Sequence, residues 1–520
     1  MLANAGSQAD PHPITSVSFE SQSVSGMIYQ NILLLATIGG ATAWLIIRLI
    51  LKRTRWTDTA VRGQEFHQAH ATPISRFGGV ALAAAFVVVA LVASTSLPSD
   101  LEISPQNIAV VLGGLAMFLV GLLDDLRPVN AKLKFLAQIA IATTVTLGGE
   151  LQFERWTNPY TSTTYELGAF GSFLTVFWLV AVTNLINLTD GLDGLAGGIS
   201  FMVLCLMSVF AVETDASVPG MLAVGMAGAV LGFLNFNFPP ARIYMGDGGA
   251  YLLGFLIASL SLANSQKGMV AAALFAPACA LIVPIYDVLV TILRRGARGL
   301  PIFRPDRKHL HHRLAQLGLS PKRAVTILYA LSLLFVLLGL SVFWTGGKML
   351  PPVIGFALLV GLIGLRSMAR LERWIEVRHL FGTMLEVRRE TRHALALSRW
   401  LELSAERTEN SEELWRDFQF LLGKLKFTAV TLRIEGVERR WVNAASPPQS
   451  GDLTDEHHFS NSGKPVTLEI HGSPSTLTPK VFFLLAELAA EAWLKAAHQW
   501  QQKHRGPVQF SRNPEATGFR

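Results

Sequence analysis

Long runs of apolar residues constrain this chain more than any other feature. They recur at roughly 28–51, 77–95, 107–123, 133–149, 169–188, 198–212, 218–236, 249–264, 269–293, 323–343 and 350–366. Most are long enough for a helix to cross ~30 Å of hydrocarbon. Lipid offers backbone N–H and C=O groups no partner, so each run must satisfy its own by folding as a helix. The pattern predicts about eleven transmembrane helices. Composition agrees, because 51% of the 520 residues are hydrophobic and only 16% are charged. The first 26 residues hold no Lys or Arg. The basic start of a secretory signal peptide is therefore missing, and the first run reads as a retained helix. Cys205 and Cys279 both fall inside predicted spans and read as packing residues.

The net charge of +7 is informative by position. Taken alternately, the loops 52–76, 124–134, 187–197, 237–247 and 294–323 hold 18 Lys and Arg. The other loops hold only Arg155, Lys267 and Lys348. The positive-inside rule makes the first set cytoplasmic, the N-terminus external and everything after residue 366 internal. Topology thus accounts for the basic clusters, and nucleic-acid binding is not expected. Four parts follow: a polar external tail (1–26), a multispanning transmembrane body (27–366), an amphipathic helical connector (367–410) and a small cytoplasmic α+β domain (411–520). In the last, 427–436 and 464–472 read as strands, 445–463 as a polar separator and 480–502 as a soluble amphipathic helix. Apolar positions recur at helical spacing over 371–384, a face expected to pair two protomers.

Every unusual polar cluster falls in the predicted cytoplasmic loops. HATPISRFGG (70–79), GLLDDLRPVNAKLK (121–134), NLTDGLDG (187–194), NFPPARIYMGDGGAYLLG (237–254) and RPDRKHLHHRL (304–314) are all on one face of the bundle. Ionisable groups so near hydrocarbon are costly unless they serve a site. Asp124, Asp125, Asp190, Asp193 and Asp247 are too many carboxylates to converge without cations. A hard divalent ion answers this: Mg²⁺, with Mn²⁺ as an alternative, takes one or two carboxylates and completes its shell with phosphate oxygens and water. Lys132, Arg242, Arg304, Arg307, Lys308 and the histidines supply the complementary charge for phosphate. Acids, metal and bases together describe a phosphoryl-transfer centre. Taken singly, a loop carboxylate reads as a solvated group or a helix cap, and His309, His311 and His312 lack a second ligand cluster at zinc spacing.

GLLDDLRPVNAK, NLINLTDGLDGLAGG, FNFNFPPARIYMGDGG and RKHLHHRL together closely resemble the polyprenyl-phosphate N-acetylhexosamine-1-phosphate transferases, glycosyltransferase family 4, over roughly residues 27–366. The resemblance implies an integral membrane enzyme of the bacterial inner membrane. It would use Mg²⁺ to transfer a sugar 1-phosphate from a UDP-sugar to a polyprenyl phosphate, with release of UMP. In the peptidoglycan branch a Lys closely follows the acid pair as DDxxK, but that position here is Pro128. Lys132 is the first lysine, and the histidines are interrupted by Leu310, so the chain looks like the N-acetylglucosamine branch.

By the same resemblance Asp247 is the principal metal ligand, aided by Asp190, and Asp124, with Asp125 beside it, acts either as the base or as the anchor that readies the lipid phosphate, the roles of the two not being split by the sequence. Asn187, Asp190, Asp193 and Asn237 face the donor. Arg307, Lys308, His309, His311 and His312 hold sugar phosphate, while His70 and Arg76 match the substrate loop less specifically. Two other readings stand beside it. UDP-MurNAc-pentapeptide or another UDP-N-acetylhexosamine keeps the chemistry with a different donor, and a noncatalytic membrane scaffold or sensor abandons the chemistry. A carrier with acids at a broken midplane helix is disfavoured, because these acids lie in loops of one face.

Overall fold

A computed structural model of the chain describes residues 17–54, 74–95, 104–158, 160–213, 217–263, 319–372, 380–434, 437–461 and 464–504, with a few positions between 278 and 292. It divides into two compact units, residues 1–291 with 306–372, and 292–305 with 373–520.

The first unit is a helical bundle. Its described helices are α1 (Val17–Thr54), α2 (Gly78–Thr95), α3 (Pro105–Leu126), α4 (Ala131–Gly148), α5 (Gly168–Thr189), α6 (Leu195–Glu213), α7 (Ser217–Asn237), α8 (Gly246–Ala263), α9 (Pro321–Trp344) and α10 (Leu350–Glu372). Ser104 and Ser320 start α3 and α9 by accepting a bond from the Asn107 and Arg323 amides, each followed by a proline at the first helical position. Among the described residues, eight helices are long and apolar enough to cross a membrane, and α10 adds a shorter apolar stretch, Leu350–Ile363. The protein is a multispanning membrane protein.

Three differences from the expected eleven have separate reasons. The run 269–293 lies largely outside the described residues. In α10, the apolar stretch is shorter than a span. Helix α4 forms where expected but is not among the eight, because Lys132, Lys134 and Gln138 break its apolar run. Helix α1 also begins at Val17, inside the segment read as a tail, since a helix once formed extends through a Pro-free polar stretch at little cost.

Helix α8 is the axis of this unit: every residue from Gly248 to Leu262 is buried. Helices α3, α5, α2 and α6 pack around it, and α1 lies against α7 and α2. Outward faces carry exposed apolar side chains such as Leu112, Leu119, Phe173, Phe177 and Leu337, as a lipid-facing surface requires. The hairpin β1 (Arg155–Thr157) and β2 (Thr164–Glu166) lies between α4 and α5, with Trp156 stacked on Tyr165 at 5.5 Å. From that loop Tyr160 donates to the Lys348 carbonyl at 2.9 Å. Two loops placed on the same side by charge therefore touch.

The second unit is α+β, in the order α11 (Leu380–Arg407), α12 (Ser411–Lys424), β3 (Ala429–Ile434), β4 (Val437–Val442), β5 (Leu453–Asn461), β6 (Lys464–Gly472) and α13 (Pro479–His504). The antiparallel sheet runs β4-β3-β6-β5, with Leu432 opposite Leu468. Val430, Leu432, Val466, Leu468 and Ile470 alternate onto one face and join a core with the helices. Trp493 sits at its centre, 4.9 Å from Phe418 and edge-on to Trp415. Of the expected connector 367–410, residues 373–379 lie outside the described residues. Its start completes α10, and α11 contributes Ala394, Leu401 and Ala405 to the domain core. Strand β5 replaces much of the expected polar separator; as an edge strand it keeps a polar sequence, LTDEHHFSN. The face 371–384 falls on residues whose side chains lie outside those described.

Candidate active site

One end of the bundle gathers the last turn of α3, the first turns of α4 and α8, and the links α5–α6 and α7–α8. Asp124 and Asp125 end α3. Asp124 Oδ1 accepts the Val129 amide at 2.8 Å, which tightens the turn into α4. Its Oδ2 accepts from Lys134 Nζ at 2.7 Å, and the same ammonium reaches Asp247 Oδ2 at 3.2 Å. One lysine thus bridges carboxylates 123 positions apart in the chain, one on α3 and one on α8. Asp125 turns the other way: its Oδ1 and Oδ2 accept the Asp247 and Gly248 amides, both at 3.0 Å.

A bracing network holds the remaining links. Asp193 Oδ2 accepts the Ala241 amide at 2.9 Å. Asn237 accepts the Gly194 amide at 2.9 Å and donates to the Ile243 carbonyl at 2.8 Å. Gly194 sits at φ +79°, a backbone that suits glycine, and its carbonyl takes the Tyr329 hydroxyl at 2.5 Å. Residues 74–79 join the α7–α8 link through a parallel bridge of Ser75 with Ile243, and the Gly78 and Gly79 amides bond the Tyr244 and Met245 carbonyls. That link contains a cis Pro239–Pro240 bond. Asn184 donates to Gln138 at 2.7 Å, tying α5 to α4.

The electrostatics follow from this crowding. Asp190, which ends α5, is pushed well above the usual carboxylate range by burial, then by the charges of Asp247, Asp125 and Asp193; Arg76 pulls the other way. Burial and Asp193 push the Tyr244 phenol up to about 12. Its hydroxyl is buried without a hydrogen-bond partner among the described residues. The donor set fits a hard divalent cation, since the five carboxylates of Asp124, Asp125, Asp190, Asp193 and Asp247 outnumber the two cations, Lys134 and Arg76. Among the described residues no three His, Cys, Asp or Glu side chains already stand together as a metal cluster. Such a set suits a Mg²⁺ that relies on one or two carboxylates and on substrate oxygens.

Of the residues expected at the site, Asp124, Asp125, Asp190, Asp193, Asp247 and Arg76 come together here. Asn187 lies in the last turn of α5, its carbonyl accepting the Asp190 amide. Two of the expected residues, Lys132 and Asn237, have surroundings of their own. Lys132 is exposed, off the buried face of α4, whereas Lys134 shares that face with Gln138, Ala142 and Val145. The four-residue step 134–138–142 was the signal in the sequence that the count from the acid pair missed. Asn237 is only 2% exposed, and its amide braces two loops. Tyr244 and Tyr251, the latter one turn beyond Asp247 and within its electrostatic reach, were also missed. His70, Arg304, Arg307, Lys308, His309, His311 and His312 lie outside the described residues.

Comparison with known proteins identifies the family. The family model described as glycosyl transferase family 4 matches residues 107–265. A Bacillus subtilis protein, named as a probable undecaprenyl-phosphate N-acetylglucosaminyl 1-phosphate transferase, is 35% identical over 291 residues, covering 56% of this chain and 79% of its own. The decaprenyl-phosphate N-acetylglucosaminephosphotransferase of Mycobacterium tuberculosis is 34% identical, covering 50% and 70%. A phospho-N-acetylmuramoyl-pentapeptide-transferase of Staphylococcus aureus is 30% identical over 241 residues, covering 44% and 72%. With its acid clusters gathered at one end of a membrane bundle, the chain belongs to the polyprenyl-phosphate N-acetylhexosamine-1-phosphate transferase family.

Proposed function

We propose that this protein transfers N-acetylglucosamine 1-phosphate from UDP-N-acetylglucosamine to undecaprenyl or a related polyprenyl phosphate, releasing UMP, as the first step of an envelope polysaccharide of the O-antigen or exopolysaccharide type. The Asp124–Lys134–Asp247 bridge carries this reading: a cation-linked acid pair at the end of a membrane span is where a lipid phosphate and a soluble nucleotide can meet. An oxygen of the lipid phosphate attacks the phosphorus bearing the sugar, and the bond from that phosphorus to the UMP oxygen breaks. Asp124, at the end of α3, receives the proton of the acceptor phosphate, and Lys134 offsets the charge that gathers between the two phosphates. The Tyr244 hydroxyl, buried without a hydrogen-bond partner among the described residues, is placed to meet donor oxygens, and Arg76 adds positive charge beside it. Asp247 and Asp190 would hold Mg²⁺, which when bound neutralises the diphosphate and the departing UMP. The distribution of Lys and Arg supports a cytoplasmic site in the inner membrane.

The Bacillus and Mycobacterium relatives and Pro128 after the acid pair favour N-acetylglucosamine. The Staphylococcus relative keeps UDP-MurNAc-pentapeptide as the second reading. Membranes containing the protein, incubated with each donor, polyprenyl phosphate and Mg²⁺, are expected to release UMP and form a sugar-diphospholipid with UDP-N-acetylglucosamine. UMP only with UDP-MurNAc-pentapeptide would replace the donor, and no UMP from any hexosamine donor would leave a noncatalytic protein.

A further inference from the structure

The two neighbouring acids of the pair do different things in this fold. We propose that Asp125 is a positioning residue: it clamps the first turn of α8 with both carboxylate oxygens and so aims Asp247, leaving Asp124 as the member of the pair that meets substrate. This rests on the transferase reading for what Asp247 does, though not for the clamp itself.

The first amides of any α-helix have no acceptor within the helix. In α8 the Asp247 and Gly248 amides find theirs in Asp125 Oδ1 and Oδ2, each at 3.0 Å. A carboxylate at a helix N-terminus also faces the positive end of the helix dipole. Asp124 by contrast spends one oxygen on the Val129 amide and the other on Lys134, an ion pair that a phosphate can rearrange.

The surrounding backbone is shaped for this clamp. A Cβ on Gly246, which sits at φ +73°, would lie 2.6 Å from Asp125 Oδ2. A Cβ on Gly121, one turn before the pair, would lie 2.4 Å from the Asp247 carbonyl oxygen. Glycine on both helices lets α3 approach closely enough for a short aspartate to reach two consecutive amides. Asparagine at 125 keeps one acceptor and turns an NH₂ toward the other amide; alanine keeps neither.

Residue-resolved hydrogen exchange on the full chain in nanodiscs tests the clamp without any turnover. In Asp125→Ala the Asp247 and Gly248 amides should exchange at least ~10-fold faster, as expected for a lost hydrogen bond of ordinary strength. Asp125→Asn should fall between that variant and the wild type, and Asp124→Asn should leave both amides unchanged. In UMP release by the same preparations, the Mg²⁺ concentration for half activity should rise from wild type to Asn to Ala at position 125, with the acid limb of the pH–rate profile kept. Asp124→Asn should instead lose kcat at every Mg²⁺ concentration. Wild-type exchange in Asp125→Ala would overturn the clamp, as would equal inactivity of the Asn and Ala variants at all Mg²⁺ concentrations with exchange unaltered. If no donor yields UMP, the exchange result still decides the clamp while the transferase reading fails.

Discussion

At the scale of single residues, charge balance governs this protein. Lys134 is the cation nearest the two acids it bridges, and removing it leaves Asp124 and Asp247 facing each other with less compensation. Lys134→Met should lower UMP release by roughly 10²-fold or more, the scale of losing one preorganised electrostatic contact, while Lys132→Met should stay within about threefold. Comparable losses in both would put the count from the acid pair, rather than the buried face of α4, back in charge of the choice. Asp190 gives a second expectation. Its folded-state pKa is raised by burial and by three acids, so the folded protein holds that proton more tightly than the unfolded chain. The resulting stabilisation is complete below the ordinary carboxylate range and is lost as pH rises through the raised value. With chelator present, the melting temperature should therefore fall as pH rises above the ordinary carboxylate range, and Mg²⁺ should restore more of it at the upper end. A melting temperature that does not vary with pH in chelator would remove the acid crowding from the account.

At the scale of elements, small residues set how closely the helices approach. Helices α1 and α7 meet through glycines: a Cβ on Gly228 would lie 2.0 Å from the Ala36 carbonyl oxygen, and one on Gly232 would lie 2.4 Å from that of Gly40. Membrane helices gain little from apolar attraction to one another beyond what lipid offers, so close backbone packing carries the association. Gly228→Ile should lower the melting temperature in detergent by several degrees, while Gly148→Ala, with nothing within 4 Å of the added carbon, should not. Differential scanning fluorimetry of the two purified variants decides it. Helix α4 teaches the same lesson from its polar side. Lys134 and Gln138 lower its apolarity because they face α3, α8 and α5, where partners wait for them.

At the scale of the whole molecule, each unit has its own core. All the site residues described belong to the first unit, and the second is built around Trp493, Phe418 and Phe427. A chain ending at residue 379 should keep UMP release within about threefold, and a fragment of residues 380–504 should show a cooperative melt with near-ultraviolet dichroism of buried tryptophan. A fragment without cooperative melting would make the second unit dependent on the rest of the chain.

Much of this was legible in the sequence. Long apolar runs announce spans because lipid allows backbone little other structure, and the alternation of Lys and Arg between loops groups those loops by side. The acids of NLTDGLDG and MGDGG stand out because charge beside hydrocarbon is rare. Strand β5 did not stand out, since an edge strand needs only one hydrogen-bonded neighbour and no apolar alternation. Nor did Lys134 or the separate tasks of Asp124 and Asp125, because neighbours in the chain point to different partners only once helices are packed. The sequence by itself determined the class of fold, the residues rich in chemistry and the loops that carry them. Which lysine bridges the acids, and which acid holds a helix end, was decided by the close approach of α3, α4 and α8, a matter of angstroms between segments far apart in the chain.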